Sequence, residues 1–180
     1  MNSFEPVYIH VPTPDLSRGE RTEFASLLAA ALHETRGPVP WVRYSSSYPK
    51  HEFLHYVVEH EHLLLHGSAR PNIELLEPRA ESENSGRLIY AVFAASDALW
   101  PLFFAILDRK PYPFSVHNGC RRVPDGKVYY FSTSTLHDHP WVDGTMYILP
   151  RESFEPFADE DEGSTDQWPV SYTHLRAHET

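Results

Sequence analysis

A single cysteine, Cys120, stands in 180 residues. No disulfide can form within the chain, and zinc sites built on paired cysteines are excluded. Basic residues are scarce as well: 15 Lys+Arg face 25 Asp+Glu, a formal net charge of −10. Arg109-Lys110 and Arg121-Arg122 are the only basic doublets. A protein that follows a phosphate backbone needs a basic stripe, so the charge balance argues against nucleic-acid binding. It does not touch a small charged ligand held in one pocket. Long apolar runs are missing too, and no stretch approaches the roughly 20 residues that span a bilayer. The first residues, "MNSFEPVYIHVPTPDL", lack a basic segment followed by an apolar one and do not read as a secretory leader. A cytoplasmic chain with no membrane partner is expected.

What is present is a core. Hydrophobic residues make up 41% and aromatics 13%, enough for one globular domain of this length. Ser17 and Glu20 form a capping box ahead of "RTEFASLLAAALHE", where Phe24, Leu27, Leu28 and Ala31 recur at helical spacing. Gly37 and Pro38 supply a stop. "HEFLHYVVEH" predicts a second helix with Phe53, Leu54, Val57 and Val58 on one face and His51, His55 and Glu59 on another. "EHLLLHGS" and "RLIYAVFA" read as apolar strands. "SDALWPLFFAIL" reads as a buried helix, with Ser96 or Asp97 to cap it and Pro101 in its first turn. Asn118-Gly119 predicts a hairpin turn and Pro124-Asp125-Gly126 another. "KVYYFST" and "TMYILP" are further strands, and "ADEDEGSTDQ" is a charged, loop-like segment. Helices followed by strands with one inserted helix predict an α+β fold.

The tail stands apart. Val170–Thr180 can be back-translated to a sequence that resembles the adapter of transposase-based sequencing libraries read in frame, with Pro169 next to the join. Residues 169–180 are therefore expected to be non-native and unpacked, and residues 1–168 to be a single domain cut short at its C-terminus. His174 and His178 leave the site argument on that ground.

Twelve histidines are present, five of them between residues 51 and 68: His51, His55, His60, His62 and His66. His51-Glu52-x-x-His55 matches the zinc-peptidase pattern, and His137 and His139 could complete a metal site on an extended segment. So short a pattern arises easily in a histidine-rich chain. The plainer reading is a solvated helix face with His55 and Glu59 paired four apart. His66 differs: it ends an apolar strand and is followed by Gly67 and Ser68, a common way to build a ligand site. Its plainer alternative is a strand-end histidine bonded to a carbonyl.

In order, "LLLHGSARPNIELLEPR", "LIYAVFAASDALWPLFFAI" and "GTMYILPRESFEP" resemble the ADP-ribosyltransferase superfamily, nearest to the small rifampin ADP-ribosyltransferases. The counterparts are His66-Gly67-Ser68, Leu76-Glu77-Pro78, Tyr90 and Asp97-Ala98-Leu99-Trp100. The resemblance implies a split β-sheet core, with N-terminal helices and one buried helix after the second core strand. It implies NAD as substrate, an acceptor that the sequence leaves open, and no metal. In that family the histidine bonds a ribose hydroxyl, the glycine backbone holds the nicotinamide carboxamide and the tyrosine stacks on the ring. Tyr90 can equally be a core aromatic. The third motif is the loosest: Glu155 is the nearest acid and Gln167 the other candidate for orienting a nucleophile. Two other readings stay open: a metal-binding protein or metallohydrolase using His51, His55, His137 and His139, and a module that binds a nucleotide without chemistry.

Overall fold

The computed structural model describes residues 8–34, 39–82, 88–108, 116–133, 141–156 and 171–174. The fold is α+β, with three helices and two antiparallel sheets among these residues. Strand β1 (Ile9–Pro12) precedes helices α1 (Arg18–Leu32) and α2 (Lys50–Glu59). Strands β2 (Leu64–Ser68), β3 (Arg79–Ser82) and β4 (Leu88–Ala95) lead to α3 (Trp100–Ile106). Then come β5 (Val116–Val123), β6 (Gly126–Thr133), β7 (Thr145–Leu149), a 3-10 turn (Arg151–Ser153), β8 (Glu155–Pro156) and β9 (Ser171–His174). One sheet has the order β1-β6-β5; the other runs β7-β2-β4-β9-β8, with β3 paired to β4. Among the described residues no helix is long and apolar enough to cross a membrane.

The capping box starts α1 as the sequence predicts. Ser17 Oγ accepts from Glu20 N at 3.3 Å, and Glu20 Oε2 accepts from Ser17 N at 2.6 Å. These bonds hold the Glu20 carboxyl below its usual range. The helix ends at Leu32 with His33 as C-cap; the stop expected at Gly37 and Pro38 lies outside the described residues. The apolar face of α2 is also where the wheel puts it, with Phe53, Leu54, Val57 and Val58 buried. Phe24, with no exposed surface, meets the rings of Phe53, Tyr56 and Tyr48 at centroid distances of 5.7, 5.9 and 5.9 Å. Each such large apolar side chain contributes about 1.5–3 kcal/mol by leaving water. This cluster takes in Leu65 of β2 and packs against Met146 and Ile148 of β7. The helices therefore cover one face of the β7-β2 pair.

Three expectations are corrected. Asn118-Gly119 is not a turn: both residues lie within β5, opposite Phe131 and Tyr130. The hairpin closes instead at Pro124-Asp125, with Val123 opposite Gly126. Gly119 is there for close packing, since a Cβ on it would land on the Tyr130 ring. Helix α3 begins at Trp100, four residues later than the run "SDALWPLFFAIL". Asp97 holds the preceding turn, its Oδ1 accepting from Leu99 N at 2.9 Å and Trp100 N at 2.6 Å. Finally, the described part of the tail is paired in a sheet. Ser171–His174 forms β9 between β4 and β8, with Val92 opposite His174 and Glu155 opposite Thr173. A strand edge recruits a neighbour through main-chain groups, so the missing apolar periodicity does not prevent pairing.

Candidate functional site

The end of β2 is built by alternation. Leu64 and Leu65 are fully buried. Leu65 faces the α1/α2 cluster, and Leu64 packs with Ala94, Leu149 and Phe154 on the other side of the sheet. Successive side chains of a strand alternate faces. His66 therefore shares the Leu64 face, away from the helices, and Gly67 shares the Leu65 face.

Gly67 meets α3. A Cβ there would land on the Pro101 carbonyl, whose carbon would lie at 2.7 Å. The missing side chain admits the backbone of α3, and the Gly67 backbone is not in the left-handed region. A side chain larger than hydrogen at 67 would therefore collide with α3 itself.

His66 is half-buried, and its Nδ1 lies 2.7 Å from the Phe93 carbonyl oxygen. A carbonyl only accepts, so Nδ1 carries the hydrogen and Nε2 of the neutral ring carries a lone pair. Burial pushes the His66 pKa below the ordinary histidine value; the Phe93 carbonyl opposes this and the Arg79 guanidinium adds to it. The ring is therefore neutral at pH 7, and Nε2 has no hydrogen-bond partner among the described residues. The β2–β4 ladder has one register pair, Leu65 opposite Ala95. The His66 side chain, rather than a further ladder pair, reaches Phe93.

The ring beside His66 belongs to Tyr147, directly opposite it on β7, with centroids 6.2 Å apart and an interplanar angle of 54°. Tyr90 lies elsewhere. It is 67% exposed, opposite Ala80 of β3. The register puts it on the His66 face, but four residues beyond Ala94, roughly 13 Å away at about 3.3 Å per residue. Ser68 is half-buried, and its hydroxyl accepts from Arg70 N at 3.1 Å. Glu155 is exposed on β8, three strand spacings from β2 and so about 14 Å away by the usual sheet spacing. Gln167 lies outside the described residues.

A second polar region was not anticipated. Asp97 is fully buried. Its Oδ2 accepts from Lys127 Nζ at 2.6 Å and from Tyr129 Oη at 2.9 Å. Burial, then the Asp97 charge, raises the Tyr129 pKa far above that of an ordinary phenol. These side chains tie β6 to the turn before α3 and are among those that line a cleft of about 720 Å³. Arg21, His51, His55 and Glu59 line it as well. His51 is exposed, as expected. His55 is half-buried: burial lowers its pKa, the Glu59 carboxylate partly offsets this, and the Lys127 charge adds to the lowering. His137 and His139 lie outside the described residues, and no group of three or more His, Cys, Asp and Glu among the described residues is placed to hold a metal. Two signals for the Asp97 region stood in the chain: a cap candidate before an apolar helix, and Lys127 and Tyr129 two apart on one strand face.

Comparison with family models, with characterised proteins and with solved structures finds no match to this chain.

Proposed function

We propose that the chain is an NAD-binding ADP-ribosyltransferase-like protein that seats the nicotinamide-ribose end of NAD at His66 and passes ADP-ribose to an acceptor. The observation that carries this reading is the His66 ring itself. Phe93 fixes its tautomer, burial keeps it neutral, and Nε2 is left as an acceptor. Such an atom accepts a hydrogen bond from a ribose hydroxyl, the role that the resemblance assigns to this histidine. The order of β2, β4, α3 and β7 along the chain supports the same reading.

In the reaction proposed, the bond between ribose C1′ and nicotinamide nitrogen breaks and nicotinamide leaves with the electron pair. The ribose passes through an oxocarbenium-like state, as in glycoside cleavage. The acceptor nucleophile bonds to C1′ and gives up its proton. The bond from the ribose hydroxyl to Nε2 orients the sugar, and Tyr147 limits water on one side of the imidazole. The resemblance offers Glu155 and Gln167 for orienting the acceptor; Glu155 lies about 14 Å from β2 by strand spacing, too far to meet a sugar seated on His66, which leaves Gln167 as the candidate. A nucleotide-binding module without chemistry would use the same His66 contact and stop before C1′–N cleavage.

The test compares His66→Ala with the double variant His51→Ala/His55→Ala in NAD titration calorimetry. One hydrogen bond is worth roughly 1–1.5 kcal/mol, so the first should lose about tenfold in affinity and the second almost nothing. Equal losses, or no NAD binding by the unaltered protein, would overturn the reading. Chromatographic detection of released nicotinamide separates transfer from binding alone.

A further inference from the structure

Beyond His66, the same strand pair holds a loop. After Ser68 the chain turns, with Arg70 N donating to Ser68 Oγ at 3.1 Å. Asn72 takes a left-handed backbone, φ 56°, a conformation asparagine tolerates better than most residues. The turn brings two main-chain groups to one side-chain atom. Tyr147 Oη accepts from Ile73 N at 3.0 Å and donates to Arg70 O at 2.9 Å. The hydroxyl thus uses its one hydrogen and one of its lone pairs on the loop. These bonds cross 74 and 77 residues of chain, so local sequence cannot form them. The ring of the same residue lies beside His66. One side chain therefore touches the candidate ligand-binding imidazole with its ring and grips the following loop with its tip.

We infer that Tyr147 is a positioning residue for the His66 site: its hydroxyl holds the loop of residues 69–73 as a wall of that site, so that a dinucleotide seated on His66 meets an ordered loop. The inference rests on the proposed NAD reading. Without the hydroxyl, Arg70 O and Ile73 N lose their shared partner, and the loop must be ordered at the moment of binding. Ordering a segment on binding weakens affinity. The ring contact with His66 does not need the hydroxyl.

Tyr147→Phe separates the two roles, because it keeps the ring and deletes the oxygen. In the full chain without ligand, amide hydrogen exchange at Ile73 should rise about tenfold, the equivalent of one lost hydrogen bond. The pH titration of the His66 ring followed by NMR should not move. NAD affinity should fall several-fold, while the melting temperature stays close to that of the unaltered protein. Unchanged protection at Ile73 would overturn the clamp. A freed loop with unchanged NAD affinity would overturn the positioning role and leave the NAD reading standing. If the unaltered protein binds no NAD, the reading of the site and the positioning role fall together.

Discussion

Asp97 and His66 are both polar residues next to buried apolar ones, yet they are treated in opposite ways. Asp97 uses both oxygens inside the protein, one on two backbone amides and one on Lys127 and Tyr129. His66 uses one ring nitrogen on Phe93, and the other has no partner among the described residues. A buried polar group with every partner satisfied specifies structure, because losing any one of them leaves a costly orphan. A half-satisfied group held in one orientation has capacity left for a ligand. The Asp97 region is accordingly architecture that borders a cleft, and the His66 region is where binding chemistry has room.

The largest effect should come from breaking the satisfied network. Asp97→Ala strands the charge of Lys127, whose side chain is only 15% exposed, and removes the acceptor of Tyr129 and of two backbone amides. Breaking a buried ion pair from one side costs about 3–5 kcal/mol, a large part of the 5–15 kcal/mol that holds a typical domain. Urea denaturation should show the midpoint collapsing. Lys127→Met should cost less, because Asp97 keeps the Tyr129 hydroxyl and two amide donors. A loss of NAD affinity at full stability would reverse the assignment of the two regions.

Gly67 joins the two regions through α3 and gives the next effect. Gly67→Ala puts a methyl group against the Pro101 carbonyl, and backbone cannot rotate away as a side chain can. Overpacking of this kind costs about 1–3 kcal/mol. Gly19 is the control: the nearest atom to a Cβ there is Ser17 Oγ at 3.8 Å. In a helix, Gly19→Ala should stabilise by about 0.5–1 kcal/mol. Thermal melts of the two variants should shift in opposite directions. A shift of the same sign would show that α3 is not seated on Gly67.

These contrasts mark what the chain shows locally and what it hides. Helix α1 was legible because its capping box and its 3.6-residue repeat lie within one segment. The same holds for the buried face of α2 and for the apolar strands that became β2 and β4. Strands β1, β3, β8 and β9 were not legible, since each is short and set by the strand that recruits it. Asn118-Gly119 misled because a glycine can serve a turn or a close ring contact, and only the partner strand decides. At the site, His66 stood out as a polar strand end. Tyr147, its neighbour, is 81 residues further on, and only the β2–β7 register brings the two together. Asp97 was visible as a cap, but Lys127 and Tyr129 reach it across 30 and 32 residues.

The smallest effect, and the finest probe of the contrast, is pH. His55 in the cleft and His66 across the sheet both have pKa values lowered mainly by burial. In the unfolded chain both return to about 6.5. As pH falls through that value, the unfolded state binds protons that the folded state refuses, so unfolding gains and stability drops. The loss begins near pH 6.5, continues down to the folded pKa values and then levels off; at pH 7.5 and above the pair contributes no slope. Melting temperatures between pH 7.5 and 5.0 should therefore fall, and His55→Gln and His66→Gln should each remove part of the slope. The two sit on opposite faces of the sheet and share no partner, so their effects should add. Saturating NAD discriminates between them. A ligand hydroxyl donating to Nε2 needs the lone pair, which makes protonating His66 harder still and steepens the acid slope. That extra slope should vanish in His66→Gln and survive in His55→Gln; the reverse pattern would place the ligand in the cleft instead.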